Sequence, residues 1–463
     1  MIHQKPIPLL FITLIASLGG LLFGFDMAVI SGVLPLVKQQ FSLTAGEEGW
    51  FVSSALLGCI IGVVCSGEMS DRWGRKKPLF LAASLFIVSA LGCALAPDLA
   101  SVIVFRILGG VGIGIASSVV PLYISEIAPA DRRGRLVTYY QFAVTLGILL
   151  AYLSNAALLG DRVIAQLPIW SESKFVSELW RLMLGIGVLP AILFFVGLLF
   201  VPESPRWLLQ HKKIKDLKSA AEKSGRDPSL TNTSVDAMSA EAGIGGHYKD
   251  LFAPPMRKAL LIGILLPVFS QFSGINAIIY YGPTILGNAG ISLSNSLLSQ
   301  IIFGAANMFF TLFAIWKVDQ WGRRPLYLWG TAGAAVSLLA TGFCFYIGAV
   351  SSVWLLLCVL LFLACFACSI GPLKFVVASE IFPSAIRGRA LALSVTIMWV
   401  ADTAVGQITP ILLHKLGNAG TFWVFALFCV AAFVMVYRLL PETKGKSLEE
   451  IEADWKSTAG RRH

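Results

Sequence analysis

Charge is what this chain has least of. Asp, Glu, Lys and Arg make up 13% of its residues, against roughly a quarter in soluble domains. So little polar surface excludes an ordinary soluble protein of 463 residues. Histidine is scarce too. The five His lie in tails or loops, so no metal site is expected. The eight Cys all fall within apolar runs and form no disulfide framework. Cys365 and Cys368 spell C-x-x-C, but without a second pair or a neighbouring His they read as small packing residues. No nucleophile–base constellation and no cofactor loop stands out, so the reading is neither an enzyme nor a cofactor protein.

What fills the chain instead is apolar sequence. Hydrophobic residues make up 56%, and the mean hydropathy is +0.77. Twelve runs of bilayer-crossing length lie near 9–31, 48–68, 78–96, 100–124, 136–159, 180–201, 259–287, 297–317, 325–348, 354–379, 390–413 and 420–440. The first is too long and too polar-flanked for a cleaved signal peptide, and reads as a retained helix. One long polar stretch, 203–258, separates the halves and reads as a cytoplasmic linker with short helices. The expected organisation is a six-helix bundle over 1–202, the linker at 203–258, a second six-helix bundle over 259–440 and a cytoplasmic tail at 441–463. Asn232-Thr233-Ser234 matches a glycosylation sequon but falls in the linker, where it is expected to stay unmodified.

The formal net charge of +10 is topogenic rather than a nucleic-acid footprint. Most Lys and Arg lie in the N-terminus, alternate loops, the linker and the tail. Lys38, Arg162, Lys174, Arg181 and Lys415 fall on the other side, and Arg106 and Lys374 lie inside spans. This is the positive-inside asymmetry. It puts both termini in the cytoplasm.

Three motifs occur twice. Asp71-Arg72-Trp73-Gly74-Arg75-Lys76 returns as Asp319-Gln320-Trp321-Gly322-Arg323-Arg324. Glu126 with Arg133-Gly134-Arg135 returns as Glu380 with Arg387-Gly388-Arg389. Pro202-Glu203-Ser204 returns as Pro441-Glu442-Thr443. Parallel halves with matched charged clusters are the build of a transporter that rocks one half against the other. Topology needs Lys and Arg but not the carboxylates, so the clusters read as a cytoplasmic gate. Its candidate members are Asp71, Arg72, Arg75, Glu126, Arg133, Glu203, Arg206, Asp319, Arg323, Glu380, Arg387 and Glu442.

Gly67–Lys76, Pro202–Leu208 (PESPRWL) and Pro441–Gly445 (PETKG) resemble the signatures of the sugar porter family of the major facilitator superfamily. So do Gly19–Gly32 and Gln271–Tyr281 (QFSGINAIIYY). The resemblance covers essentially the whole chain. It implies an all-α membrane protein with the major facilitator fold, twelve helices in two six-helix bundles, and alternating access to a monosaccharide. Asp26 in span 1 and Arg106 in span 4 match the proton-coupling pair of the bacterial xylose and plant hexose symporters. Facilitative glucose transporters have Asn where this chain has Asp26. The resemblance also implies sugar contacts from Gln141, Gln271, Asn276, Tyr280, Asn307 and Trp399, with Phe375 where the family usually has Trp. Amides that donate and accept, beside flat aromatic faces, suit a sugar. Gly274 and the Gly282-Pro283 pair are places where span 7 can break.

The departures are concentrated in the pocket. Ser270 and Met398 stand where the family usually has amides. Lys374 in span 10 and Asp402 in span 11 add charges where the family has none. Ionisable groups inside spans are costly and functional by default. Lys374 and Asp402 read as a compensating buried pair, as a point of contact for an acidic sugar, or as a second titratable site. The resulting expectation is a proton-coupled hexose or pentose symporter of a bacterial inner membrane, functional as a monomer in the lipid bilayer, with sugar and protons as its partners. The alternatives are a facilitative uniporter and a transporter-like sugar sensor.

Overall fold

The structure, a computed structural model, describes residues 8–129, 132–159, 178–211, 248–349, 353–382, 386–442 and 444. Most of the linker, the sequon and nearly all of the tail lie outside these. The described chain is helical, with no strand among the described residues. The first half runs α1 (Leu9–Phe41), α2 (Ala45–Trp73), α3 (Lys76–Leu95), α4 (Leu99–Ile127), α5 (Arg133–Leu159), α6 (Leu179–Gly185), α7 (Val188–Phe200) and α8 (Pro205–Gln210). Two short 3-10 turns, Tyr248–Phe252 and Pro254–Met256, then lead into the second half. It runs α9 (Arg257–Phe272), α10 (Ile275–Asn288), α11 (Leu293–Trp321), α12 (Arg323–Tyr346), α13 (Val353–Cys365), a π-turn (Phe366–Ile370), α14 (Gly371–Ile381) and α15 (Arg387–Leu439).

Among the described residues, eleven helical stretches are long and apolar enough to cross a bilayer. The last covers two spans, because the backbone leaves helical geometry at Gly417, where φ is 67°. The count is therefore the twelve that hydropathy gives. Apolar side chains lie on both sides of these helices. Leu10, Leu14, Leu193, Phe309 and Leu427 stay exposed, as a lipid-facing surface requires.

The helix starts are fixed by local chemistry. Thr44 and Glu47 cap α2 reciprocally: the Thr44 N–H donates to Glu47 Oε2 at 2.8 Å and the Glu47 N–H to Thr44 Oγ1 at 3.4 Å. Asp98 caps α4 through the Ser101 N–H at 2.8 Å, and that bond holds its carboxyl below the ordinary value.

Span 7 breaks where the sequence allows, but at only one of its two candidate points. Gly274 takes a left-handed φ of 87° and separates α9 from α10. Gly282-Pro283 stays helical inside α10. Pro283 has no N–H to give the Ile279 carbonyl. The Tyr152 hydroxyl donates to that carbonyl instead, at 3.4 Å.

The chain divides into two compact units. One comprises Met1–Asp26, Leu57–Ile148 and Arg181–Gly245. The other comprises Met27–Leu56, Leu149–Trp180 and Gly246–His463. In the first, α3 packs along α4 and α7. In the second, α12 and α9 pack along α15. The second unit also holds the later part of α1, the start of α2 and the end of α5. Their ties within it are Ser53 Oγ to Gln407 Oε1 at 2.8 Å, Gln407 Nε2 to Gly46 O at 3.1 Å and Asn155 Nδ2 to Val29 O at 3.0 Å.

Candidate functional site

The first unit carries the candidate proton pair. α1 and α5 cross closely. A methyl on Gly24 would run into Val144 O, and one on Gly147 into Leu21 O. Asp26 follows this crossing and is partly exposed, whereas Arg106 on α4 is buried. The Arg106 charge acts on the Asp26 carboxylate. Gln141 on α5 is also partly exposed. Its amide forms no side-chain hydrogen bond among the described residues, so both of its faces stay available.

The second unit carries the remaining candidate sugar residues around the Gly274 break. The break turns the end of α9 and the start of α10 toward one point. Asn276 Nδ2 donates to Gln271 Oε1 at 3.1 Å and to Asp402 Oδ1 at 2.7 Å. Tyr280 OH, one turn on, lies 3.1 Å from Asp402 Oδ2 and 3.2 Å from Met27 Sδ. Gln271, Tyr280 and Trp399 are buried, while Asn276 and Asn307 are partly exposed. Asn307 makes no side-chain hydrogen bond among the described residues. Phe375 lies on α14, but its side chain is outside the described residues.

The two unexpected charges lie in the same cluster as these residues. Lys374 and Asp402 are both buried, and each acts on the other through space. Each also has its own hydrogen-bond partners. Lys374 Nζ donates to Ser270 Oγ at 3.0 Å, while Asp402 is taken by Asn276 and Tyr280. The reason is local. The small Ser270 side chain leaves room for the ammonium, and the amide and phenol of α10 reach Asp402 first. Sequence reading missed Ser270 and Met27 as members of this cluster. The absence of the usual amide at position 270, opposite a new lysine, was the signal for Ser270; nothing marked Met27.

The repeated motifs make the same construction twice, once in each unit. Arg75 Nη2 meets Glu126 Oε1 at 2.7 Å, and Arg75 Nη1 donates to Ser70 O at 3.0 Å. Ser204 Oγ donates to the other oxygen of Glu126. Glu203 accepts the N–H groups of Arg75 at 2.9 Å and Lys76 at 3.2 Å, at the start of α3. In the second half, Arg323 Nη2 meets Glu380 Oε1 at 2.9 Å. Glu442 accepts the N–H groups of Arg323 at 3.1 Å and Arg324 at 3.0 Å, at the start of α12. Each helix start thus has its orphan donors met by a carboxylate that follows the last span of its half. Asp71 lies 3.8 Å from Arg75, and Arg72 pairs with Glu68 at 2.7 Å on the exposed surface. Arg206 is partly exposed on α8. The side chains of Arg133, Asp319 and Arg387 lie outside the described residues.

Comparison with known proteins agrees with this architecture. Residues 12–455 match the family model described as "Sugar (and other) transporter". The arabinose-proton symporter of Bacillus subtilis is 40% identical over 441 residues, covering 95% of this chain and 93% of its own. The D-xylose-proton symporter of Escherichia coli K12 is 37% identical over 478 residues, with 96% and 95% covered. Among solved structures, the partially occluded inward-open conformation of the xylose transporter XylE from E. coli matches with a TM-score of 0.82 at 35% identity, over 95% of this chain and 99% of that one. The fold is that of the major facilitator superfamily, and this chain, a multi-pass membrane protein, belongs to the sugar transporter family.

Proposed function

We propose that this protein is a proton-coupled monosaccharide symporter that works by alternating access and takes a pentose or hexose. The observation that carries the reading is Asp26, a carboxylate within a membrane span, partly exposed and under the charge of a buried Arg106. A carboxylate at this depth is costly, and a uniporter has no use for it. The relatives named for proton symport of arabinose and xylose support the same reading. Asp26 loads a proton together with sugar, and Arg106 promotes its release. Gln141, Gln271, Asn276, Tyr280, Asn307, Phe375 and Trp399 hold the sugar. The repeated carboxylate–guanidinium clusters act at the cytoplasmic gate. The working organisation is the two six-helix bundles joined by the linker, with both termini cytoplasmic. The protein acts as a monomer in the lipid bilayer of a bacterial inner membrane.

Each proton carried with the sugar across about 100 mV supplies about 2.3 kcal/mol, or roughly 50-fold accumulation. The test is uptake of labelled D-xylose, L-arabinose and D-glucose into proteoliposomes with an internal pH dye. Accumulation above the external level, with internal acidification, is the expected result. Equilibration without acidification refutes symport and leaves uniport.

A further inference from the structure

Asp402 has no part in the reading above, yet its surroundings tie it to the sugar groups. The carboxylate is 2% exposed, within α15. Its contacts are two neutral donors, Asn276 Nδ2 on Oδ1 at 2.7 Å and Tyr280 OH on Oδ2 at 3.1 Å. Both donors are proposed sugar ligands. The elements around it bring few charged or titratable groups. From α14, Lys374 acts on it through space while donating to Ser270 Oγ on α9. From α10 comes the phenol of Tyr280, which also meets the thioether of Met27 on α1.

The donors are fully committed. The Asn276 amide has two N–H bonds, one given to Gln271 Oε1 and one to Asp402. Tyr280 has a single O–H, which lies within reach of both Asp402 Oδ2 and Met27 Sδ. A sugar that takes the Asn276 N–H facing Asp402, or the Tyr280 O–H, withdraws that donor from the carboxylate. A carboxylate within a span that loses its hydrogen-bond donors is left with only the through-space charge of Lys374, and an unsatisfied buried charge is expensive. A proton removes that charge.

We propose that Asp402 is a second proton-coupling residue, whose carboxylate takes up one proton as the sugar withdraws Asn276 and Tyr280 from it. The inference rests on the sugar reading of the site. The proton comes from water and adds to a lone pair of Oδ1 or Oδ2. No bond of the sugar changes. The proton returns to water when the sugar leaves and the two donors close back onto the carboxylate. Coupling at Asp402 is independent of Asp26, so a full cycle moves two protons per sugar.

The experiment is titration calorimetry of the purified full-length protein with D-xylose, L-arabinose and D-glucose. It is run at one pH in buffers of differing ionisation enthalpy, whose slope counts protons taken up per sugar bound. Asp26→Asn silences the first residue. In that variant, uptake approaching one proton per sugar is expected, and Asp26→Asn/Asp402→Asn should bind sugar with no uptake. No buffer dependence in Asp26→Asn, or the same dependence after Asp402→Asn is added, overturns the inference alone. Failure of all three sugars to bind the unmodified protein overturns the sugar reading and the inference with it. The unmodified protein gives a second measurement that needs no variant. The reversal potential of sugar flux in proteoliposomes should report two protons per sugar, and a value of one overturns the proposal.

Discussion

The two copies of the charged motif should respond unequally to the same substitution. In the first half, the side chains of Arg75 and Glu126 are 6% and 2% exposed, and in the second those of Arg323 and Glu380 are 14% and 23% exposed. Glu126→Gln leaves the Arg75 guanidinium buried against a neutral amide. It also disturbs the Ser204 hydrogen bond on the other oxygen. Breaking a buried pair from one side costs about 3–5 kcal/mol. Gln keeps an acceptor oxygen, so the lower end of that range applies. Glu380→Gln breaks a pair that water reaches, and there a charge-assisted hydrogen bond contributes about 1–2 kcal/mol. The assay is unfolding in mixed dodecylmaltoside–dodecyl sulfate micelles, followed by helical circular dichroism, for each variant against the unmodified protein. Glu126→Gln should lower the apparent unfolding free energy by about twice as much as Glu380→Gln or more. Equal losses, or a larger loss at Glu380, would refute the argument that burial sets the difference. Added salt should shrink the Glu380 effect more than the Glu126 effect, because solvent-reached pairs are the ones salt screens.

Other outcomes follow from the same geometry. Asp26→Asn should cut the accumulation driven by a proton gradient from the level set by two protons per sugar to that set by one, while sugar–sugar exchange persists, measured as uptake and counterflow in proteoliposomes; accumulation unchanged from the unmodified protein would remove Asp26 from coupling. Gln141→Ala and Gln271→Ala should each weaken sugar binding by about 1–3 kcal/mol through an unpaired hydroxyl, with little change in melting, and unaltered affinity in both would take these residues out of the site. Gly274→Ala forces a methyl onto a left-handed residue and against the Phe425 ring, so melting should fall by several degrees. An unchanged melting temperature would show that the α9–α10 break does not need glycine.

Much of this protein is determined by sequence alone, because the controlling features are local. The length and apolarity of a run decide whether it crosses a bilayer, so twelve spans can be counted without any contact. The break of span 7 at Gly274 was legible as one of two candidate glycines, and only a backbone torsion shows that Gly274, not Gly282-Pro283, is used and that the last two spans meet at Gly417. The duplicated Asp-Arg-x-Gly-Arg, Glu and Pro-Glu motifs are equally legible. They sit at span ends, where position along the chain fixes depth.

Partner choice was not legible, because it depends on the rotation and depth of helices far apart in the chain. Nothing in residues 202–204 says that Glu203 meets the N–H groups of Arg75 and Lys76. Packing of α3 against α7 and α4 decides that. The sequence names Lys374 and Asp402 as compensating charges, which is sound electrostatics for two buried ions. The tertiary structure decides which hydrogen-bond partners each one takes. The turn at Gly274 swings Asn276 and Tyr280 onto Asp402, and the short Ser270 side chain receives the lysine. A hydrogen bond needs its atoms within about 3 Å, and only the packed chain sets distances that fine.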